Sequence, residues 1–567
     1  MGGKISPRVV KAGPYWPTVA LTGDESNSAF RLNNLILRGL PPSQYWETFS
    51  GLGDLNEPLD MVALTGTLTL TVDSTTVTGV GTAFFSEVRL GQKITAIASD
   101  DSTSWPLVAR RVVSDTEIEV WRAPDSSASG VIGWRMSRMY AINAQRGSSS
   151  WGGVDPLDKG SFIGAGAGVF QLNGQPLSAS WTLARHPSIA LFDAATDTYT
   201  NFPLGMNTPA APTLAAVGGG TKGMQAGSYS AVILPARSQT GGYNNPSPRA
   251  DVTIATGDKV QFTLPAMDTA NGQDAWWLAV TPYVAAIGAN LGYLQGPWFF
   301  WVMITTADVS AGGGTYTTEW LDAEIVVNEI VSFDNDAPTD AEGVVSLNNA
   351  PVYFSCQGQG ASTNPTQTSP GPFIVPSKPN NIEAAPLELA FSSSPPETIL
   401  WALSGQGRIY LPTINHLQIA QATPDDAVPI LIRPFWHDGF AGPDQLVFVN
   451  GMIYGFPNGG PSRSVGDGDE IDAERAWAAR VYAITQSWSP GHVVVGYDPY
   501  NNGIWFFYCG ARRNSAGFWT TQGLLYGLPQ QDWIGACEYS EDNQDQIVSG
   551  LATIGDRLEL VVGGRRT

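Results

Sequence analysis

Residues 62–97 read V-A-L-T-G-T-L-T-L-T-V-D-S-T-T-V-T-G-V-G-T-A-F-F-S-E-V-R-L-G-Q-K-I-T-A-I, and this run constrains the chain more than any other. Leu68, Leu70 and Val72 alternate with Thr67, Thr69 and Thr71, the period-2 pattern of a half-buried strand. Asp73-Ser74 turns the chain, and Thr75 to Thr78 form the returning strand. Gly79 and Gly81 break regularity, and Phe84-Phe85 supply an apolar anchor. A turn at Glu87 to Gly91 leads into Lys93 to Ile97; Leu107 to Val113, the turn Ser114-Asp115 and Glu117 to Trp121 follow. The expectation is a small all-β module over 61–125, bounded by Pro58 and Pro124, with no pattern of catalytic residues.

The chain has 567 residues, too many for one core, so several domains are expected. Its 63 glycines, 40 prolines and 19 tryptophans beside few charges suit a protein of many strands and many turns. The balance of 30 basic and 51 acidic residues gives a net charge of −21. A chain that gripped nucleic acid would need the opposite sign to neutralise phosphate. Contact with DNA that must slide remains compatible with an acidic surface. Cys356, Cys509 and Cys537 are too far apart for a disulfide framework or a metal-ligand spacing, and His186, His416, His437 and His492 are scattered. No cofactor is expected. The longest apolar stretch, Trp298 to Thr305, is far too short to span a bilayer, and M-G-G-K-I-S lacks the apolar core of a signal peptide, so no membrane anchoring is expected.

Hairpin signals recur in the last third. Short apolar strands meet at Gly405, Gly451, Asn501 and Gly555, at spacings of 46, 50 and 54 residues. One hairpin per fifty residues or so fits one β-propeller blade per period. Earlier hairpins are read at Phe162 to Leu172, through glycines 164, 166 and 168, and at Ile189 to Phe202, turning at Ala194 to Asp197. Between Thr208 and residue 335, seven or so short strands suggest a fibronectin- or immunoglobulin-like sandwich, with Trp276 or Trp277 in its core. One helix is expected at Ala473 to Trp488, after the acidic start Asp469-Glu470-Ile471-Asp472.

The fold class that emerges is all-β with minor α. It is an interrupted β-propeller carrying an inserted small β-module and an inserted fibronectin/immunoglobulin-like sandwich. The segments are N-terminal propeller strands at 1–60, the module at 61–125, a propeller part at 126–207, the sandwich at 208–335, and propeller blades with one helix at 336–567.

The run T-V-T-G-V-G-T-A-F, then L-G-Q-K-I, then V-S-D-T-E-I-E-V is similar to a small domain that recurs in bacteriophage virion proteins. The whole order resembles the tail nozzle (tail tubular protein B) family of short-tailed bacteriophages and related tail-hub proteins. The local matches are A-G-S-Y-S-A-V-I-L with Y-N-N-P-S-P, then W-L-D-A-E-I-V-V with D-N-D-A-P-T-D, then V-Y-F-S, P-S-K-P-N-N-I-E-A and G-R-I-Y-L-P-T-I-N-H-L-Q-I.

The resemblance implies a structural virion protein of the tail, assembled in the bacterial host cytoplasm. It implies a homo-oligomeric ring, commonly of six subunits, in contact with other tail proteins such as an adaptor and fibres, through which double-stranded DNA passes without specific binding. A lumen lined with carboxylates repels phosphate and lets DNA slide. Asp467, Asp469, Glu470, Asp472 and Glu474 are candidate channel-lining residues, and Glu538, Glu541, Asp542 and Asp545 form a second acidic tract. Both tracts also read as solvated surface loops.

Other chemistry finds little footing. G-A-G-A-G-V at 164–169 fails the dinucleotide fingerprint at Val169, and Asp467, Asp469 and Asp472 lack EF-hand spacing. Neither G-x-S-x-G nor H-E-x-x-H is present, so the chain is not expected to be an enzyme. The alternative is a host-polysaccharide-binding or depolymerising tail protein, with Trp505, Phe506, Tyr508 and Trp519 as sugar-stacking candidates or as ordinary blade core.

Overall fold

A computed structural model describes residues 61–88, 93–100, 103–136, 139–142, 161–164, 169–172, 175–178, 188–193, 198–283, 297–338, 341, 343–347, 350–356, 371–378, 381–424, 429–442, 445–465, 485, 488–499, 501–513, 519–529, 531–541, 546–554 and 557–564. These residues are almost entirely β. The expected strands at 1–60 and nearly all of the expected helix at 473–488 lie outside them.

The first module is a closed barrel. Its strands are β1 (Met61–Ala63), β2 (Thr67–Leu70), β3 (Thr76–Val80), β4 (Lys93–Ile97), β5 (Ser104–Ser114), β6 (Glu117–Val120) and β7 (Ala128–Met136). The order β7-β2-β3-β6-β5-β4 returns to β7, so six strands close the ring and β1 adds to the margin of β7. Two long strands make closure possible. β5 pairs β4 through Ser104–Val108 and β6 beyond it, while β7 pairs β2 near Val131 and β4 from Ile132 onward. Closure leaves the six-membered ring without a free edge.

The alternation read in the sequence explains the filling. Leu68, Leu70, Val77, Ile94, Leu107, Ile118 and Val120 point inward with Phe84, which sits on the short helix α1 (Phe84–Glu87). Two details differ from expectation. β2 ends at Leu70, so Val72 lies outside the strand and is exposed. The barrel also requires β7, which runs past residue 125, the expected limit of the module.

The pair β8 (Met139–Ile142) and β9 (Ser161–Gly164) follows, then a sheet of β10 (Val169–Leu172), β11 (Gln175–Ser178), β12 (Ser188–Asp193) and β13 (Thr198–Pro203). The expected hairpin from Phe162 to Leu172 does not form. β9 pairs β8, and β10 pairs β11 across Asn173-Gly174, a stronger turn signal than the glycines before it. The expected β12–β13 hairpin is present, with Asp193 opposite Thr198.

The sandwich holds β14 (Thr213–Gly218), β15 (Gly227–Ala236), β16 (Ala250–Ile254), β17 (Asp258–Leu264), β18 (Ala275–Val280), β19 (Phe299–Thr305) and β20 (Gly314–Thr318). One sheet runs β14-β17-β20 and the other β16-β15-β18-β19. Seven strands in two layers match expectation, but the order is not that of an immunoglobulin domain, whose first two strands share a sheet. Trp276 and Trp320 are buried between the layers with Phe262, Leu278 and Ile304. Trp277 points to the opposite face, against Val232, Leu234 and Phe300. A one-turn helix, α2 (Asp322–Ile325), begins the exit.

Meander sheets make up the remainder. They are β21 (Gly343–Leu347) to β24 (Phe391–Ser392) through β22 (Ala350–Cys356) and β23 (Phe373–Pro376), then β25 (Leu403–Gly405), β26 (Arg408–Pro412), β27 (Leu417–Ala422) and β28 (Ile430–Trp436). Next come β29 (Leu446–Val449), β30 (Met452–Gly455) and β31 (Ser462–Val465), then β32 (Val493–Asp498), β33 (Gly503–Arg513), β34 (Trp519–Gly527) and β35 (Asp532–Glu541), and finally β36 (Gln546–Ile554) with β37 (Arg557–Gly564). The first strands β10, β21, β25, β29, β32 and β36 touch one another in succession. Sheets that meet through their first strands are arranged as propeller blades about an axis.

Blade-on-blade packing accounts for the near-continuous apolar strands. On β26, Ile409 and Leu411 pack with Val352 and Phe354 of the preceding blade, while Tyr410 between them packs toward Leu446 and Ile453 of the following one. The same alternation on β33 sends Ile504, Phe506 and Tyr508 toward Val449, Tyr454 and Phe456. The sequence repeat coincides with the first hairpin of four blades, β25–β26, β29–β30, β32–β33 and β36–β37. Gln406-Gly407 and Asn450-Gly451 both hold positive φ in these turns, as tight hairpins with two left-handed residues require.

Candidate functional site

Three of the segments that carry the family resemblance lie far apart in sequence and meet in one buried polar knot, where the sandwich joins the propeller. Asn244, in the loop after β15, is its centre. The Asn244 side-chain amide donates to the Asn335 carbonyl at 3.0 Å and to the Glu383 carbonyl at 3.1 Å, and its oxygen accepts the Met206 N–H at 2.8 Å. One side chain therefore ties the entry to the sandwich, the exit from it and the neighbouring blade. Asn245 accepts the Asn335 N–H at 2.6 Å, and Asn381 exchanges two hydrogen bonds with the backbone of Tyr243, at 3.2 and 2.8 Å.

An ion pair sits beneath this knot. Arg237, directly after β15, donates to the Glu383 carboxylate and to the Asn271 carbonyl, with both charged side chains fully buried. A buried pair of this kind is costly to break, because the survivor is left as an unpaired charge. Gly242 permits the approach: a Cβ there would lie 2.7 Å from Glu383 Oε1. Tyr353 donates to the Ile382 carbonyl at 2.8 Å; complete burial, reinforced by the Glu383 charge, pushes its hydroxyl far above the ordinary range. Burial, with the nearby Glu329 charge, likewise pushes Tyr243 up to about 12. The neutral phenols are thus fixed parts of the knot at any ordinary pH.

At the outer margin, Lys378 Nζ donates to Ser332 Oγ at 2.8 Å, to Asn335 Oδ1 at 3.2 Å and to the Asp334 carbonyl. Asp334, Asp336 and Glu388 bring carboxylate oxygens within 4.8 Å of one another. Partial burial raises the Asp334 pKa, and repulsion from Glu388 and Asp336 adds to it against the attraction of Lys378. Such carboxylates could accept a hard cation, but the Lys378 ammonium already lies 3.8 Å from Asp334.

The barrel meets the propeller differently. His492 is buried, and its Nε2–H donates to the Leu107 carbonyl on β5 at 2.9 Å. Gly491 lies against Val108, and Tyr508 stacks on Trp488 at 5.4 Å between centroids. Beside this contact opens a cleft of about 320 Å³, lined by Trp105, Arg122, Asp125 and Ser126 of the barrel and by Ser489 and Tyr508 of the propeller.

The candidate channel-lining residues Asp467, Asp469, Glu470, Asp472 and Glu474 lie outside the described residues, as do Asp542 and Asp545 of the second tract. Glu538 and Glu541 belong to β35. Of the aromatic candidates, Trp505, Phe506 and Tyr508 are buried, which is the blade-core reading. The polar knot was not anticipated as a site. Its signal was the clustering of Asn residues in Y-N-N-P, D-N-D and K-P-N-N, since Asn can bridge backbone groups of several segments at once.

No protein-family model and no curated protein matches this sequence. Among solved structures, apo AztD from Citrobacter koseri is 10% identical, with 89% of this chain and 100% of that chain covered and a TM-score of 0.25. The extracellular domain of the BT4673 one-component system of B. thetaiotaomicron is 7% identical, with 89% and 76% covered and a TM-score of 0.21. A structure of that domain described as part of a hybrid two-component system gives 7%, 89%, 76% and 0.22. At these scores none carries an argument about function.

Proposed function

We propose that this chain is a structural protein of a bacteriophage tail, forming an oligomeric nozzle or hub ring whose acidic channel passes genomic DNA during ejection. The observation that carries this reading is the polar knot. The segments around Asn244, Asn335 and Glu383, on which the family resemblance partly rests, form one three-dimensional feature rather than three separate matches. Its role is mechanical. A directional, buried network holds the sandwich at a fixed angle to the propeller, as a subunit must that meets neighbours on several sides. The net charge of −21 suits a conduit for DNA, since unlike a basic surface it does not trap phosphate.

The test is charge reversal in the virion. Asp467→Lys, Asp469→Lys and Glu470→Lys together are expected to leave particle assembly intact and to slow or block DNA ejection. Unchanged ejection removes these residues from the channel. The second reading, a host-polysaccharide-binding tail protein, is favoured by the cleft at the barrel joint. Arg122, Asp125, Ser126 and Ser489 there offer the hydrogen-bonding groups that a sugar needs. Binding of host capsule oligosaccharide that is lost in Arg122→Ala supports this second reading.

A further inference from the structure

Histidine is scarce in this chain, at four residues in 567, yet two of the four meet. His416 lies in the turn between β26 and β27, and His437 directly follows β28. Their ring centroids are 6.1 Å apart with an interplanar angle of 72°. Both turns lie at one end of the blade, and a third segment, the approach to β25, adds Glu397 there through the bridge between Ile399 and Thr413.

Glu397 sets the orientation of one imidazole. His416 Nδ1–H donates to Glu397 Oε1 at 2.8 Å, Asn415 Nδ2 donates to the same oxygen at 3.1 Å, and Thr413 Oγ1 donates to Oε2. Partial burial opposes ionisation of Glu397, but these hydrogen bonds outweigh it and hold the carboxyl below its usual range. The carboxylate is further fixed through its backbone, since the Glu397 N–H donates to Ser393 Oγ at 2.7 Å and its carbonyl accepts from the same hydroxyl at 2.8 Å. With Nδ1 committed, the nitrogen that His416 can offer to a ligand is Nε2. A carboxylate that orients a histidine and raises its basicity is the usual outer partner of a metal-binding imidazole. Two imidazoles on one tetrahedral ion have centroids roughly 5–6 Å apart, given Zn–N distances of about 2.0–2.1 Å. The His437 side chain is exposed, and its 6.1 Å separation from His416 lies close to that spacing.

We propose that His416 Nε2 and His437 bind a borderline divalent transition cation such as Zn²⁺, with Glu397 as the positioning residue and water in the remaining coordination positions. Imidazole donors without thiolates suit Zn²⁺, Ni²⁺ or Cu²⁺ over Ca²⁺ or Mg²⁺. The ion pins the β26–β27 turn to the end of β28 on an accessible face of the blade.

The test uses the full chain, stripped with chelator and titrated with Zn²⁺ against a chromophoric competitor. One Zn²⁺ per chain is expected from this site. His437→Ala, at an exposed position where folding is not in question, is expected to weaken its binding at least tenfold, and His416→Ala at least as much. Glu397→Gln is expected to weaken binding by about 10–100-fold, as loss of an outer carboxylate does. It is also expected to change the visible spectrum of the Co²⁺-loaded protein, which a merely structural effect would not do. Zn²⁺ binding of equal strength in wild type and His437→Ala overturns the proposal, as does a Co²⁺ spectrum with no imidazole ligation.

Discussion

The sandwich and the barrel are fastened to the propeller by opposite means. The sandwich is held by a charged, directional knot, in which Asn244 bonds three segments and Arg237 is buried against Glu383. The barrel is held by apolar contact between Gly491 and Val108, together with a hydrogen bond from His492 to the Leu107 carbonyl. Hydrogen bonds fix direction; apolar contact fixes proximity more than angle. The sandwich joint is thus set for orientation. The barrel joint is a seat beside an open cleft.

The largest effects should fall on the sandwich joint. Arg237→Met leaves Glu383 buried and unpaired, and is expected to cost about 3–5 kcal/mol. Adding Glu383→Leu should recover most of that, since removing both charges removes the desolvation penalty as well. Urea unfolding followed by tryptophan fluorescence checks both, and failure of the double variant to recover would show that the knot matters for more than charge pairing. Asn244→Asp keeps the shape but replaces two donated hydrogen bonds with repulsion, and is expected to cost about 2–4 kcal/mol by the same measurement. At the barrel joint, His492→Ala removes the hydrogen bond to the Leu107 carbonyl, at a cost of about 0.5–1.5 kcal/mol. Limited proteolysis between the barrel and the propeller should rise in that variant, while the sandwich joint stays protected.

The smallest effect concerns pH. Glu397 is held below its usual range in the folded chain, so its contribution is fully present above the ordinary glutamate pKa near 4.5 and is lost as pH falls through the lower folded value. Wild type should lose stability on acidification in that window more steeply than Glu397→Gln. Thermal melts between about pH 3 and 6 check this.

Much of the fold was legible because it is local. Gln406-Gly407 and Asn450-Gly451 demand tight turns wherever they stand, and they mark blade hairpins. Leu68 and Leu70 alternate with threonine because one face of β2 fills a barrel. Closure of that barrel was not legible, because β7 pairs Val131 with Leu68 and Arg135 with Ile94 across long separations that no local pattern encodes. The sandwich strand order was missed for the same reason. The Arg237–Glu383 pair spans 146 residues, and nothing near either residue names its partner. Asn173-Gly174 is a different kind of miss: a strong local turn signal stood beside a denser run of glycines at 164–168 and was overlooked.

The central claim is that this chain is one subunit of a tail ring, and negative-stain class averages of the purified full-length protein, or of tail complexes that contain it, test that most directly. Closed rings with a central channel, commonly of six subunits, are the predicted result. A monomer or trimer that clears host capsule, with no rings at any concentration, would contradict it.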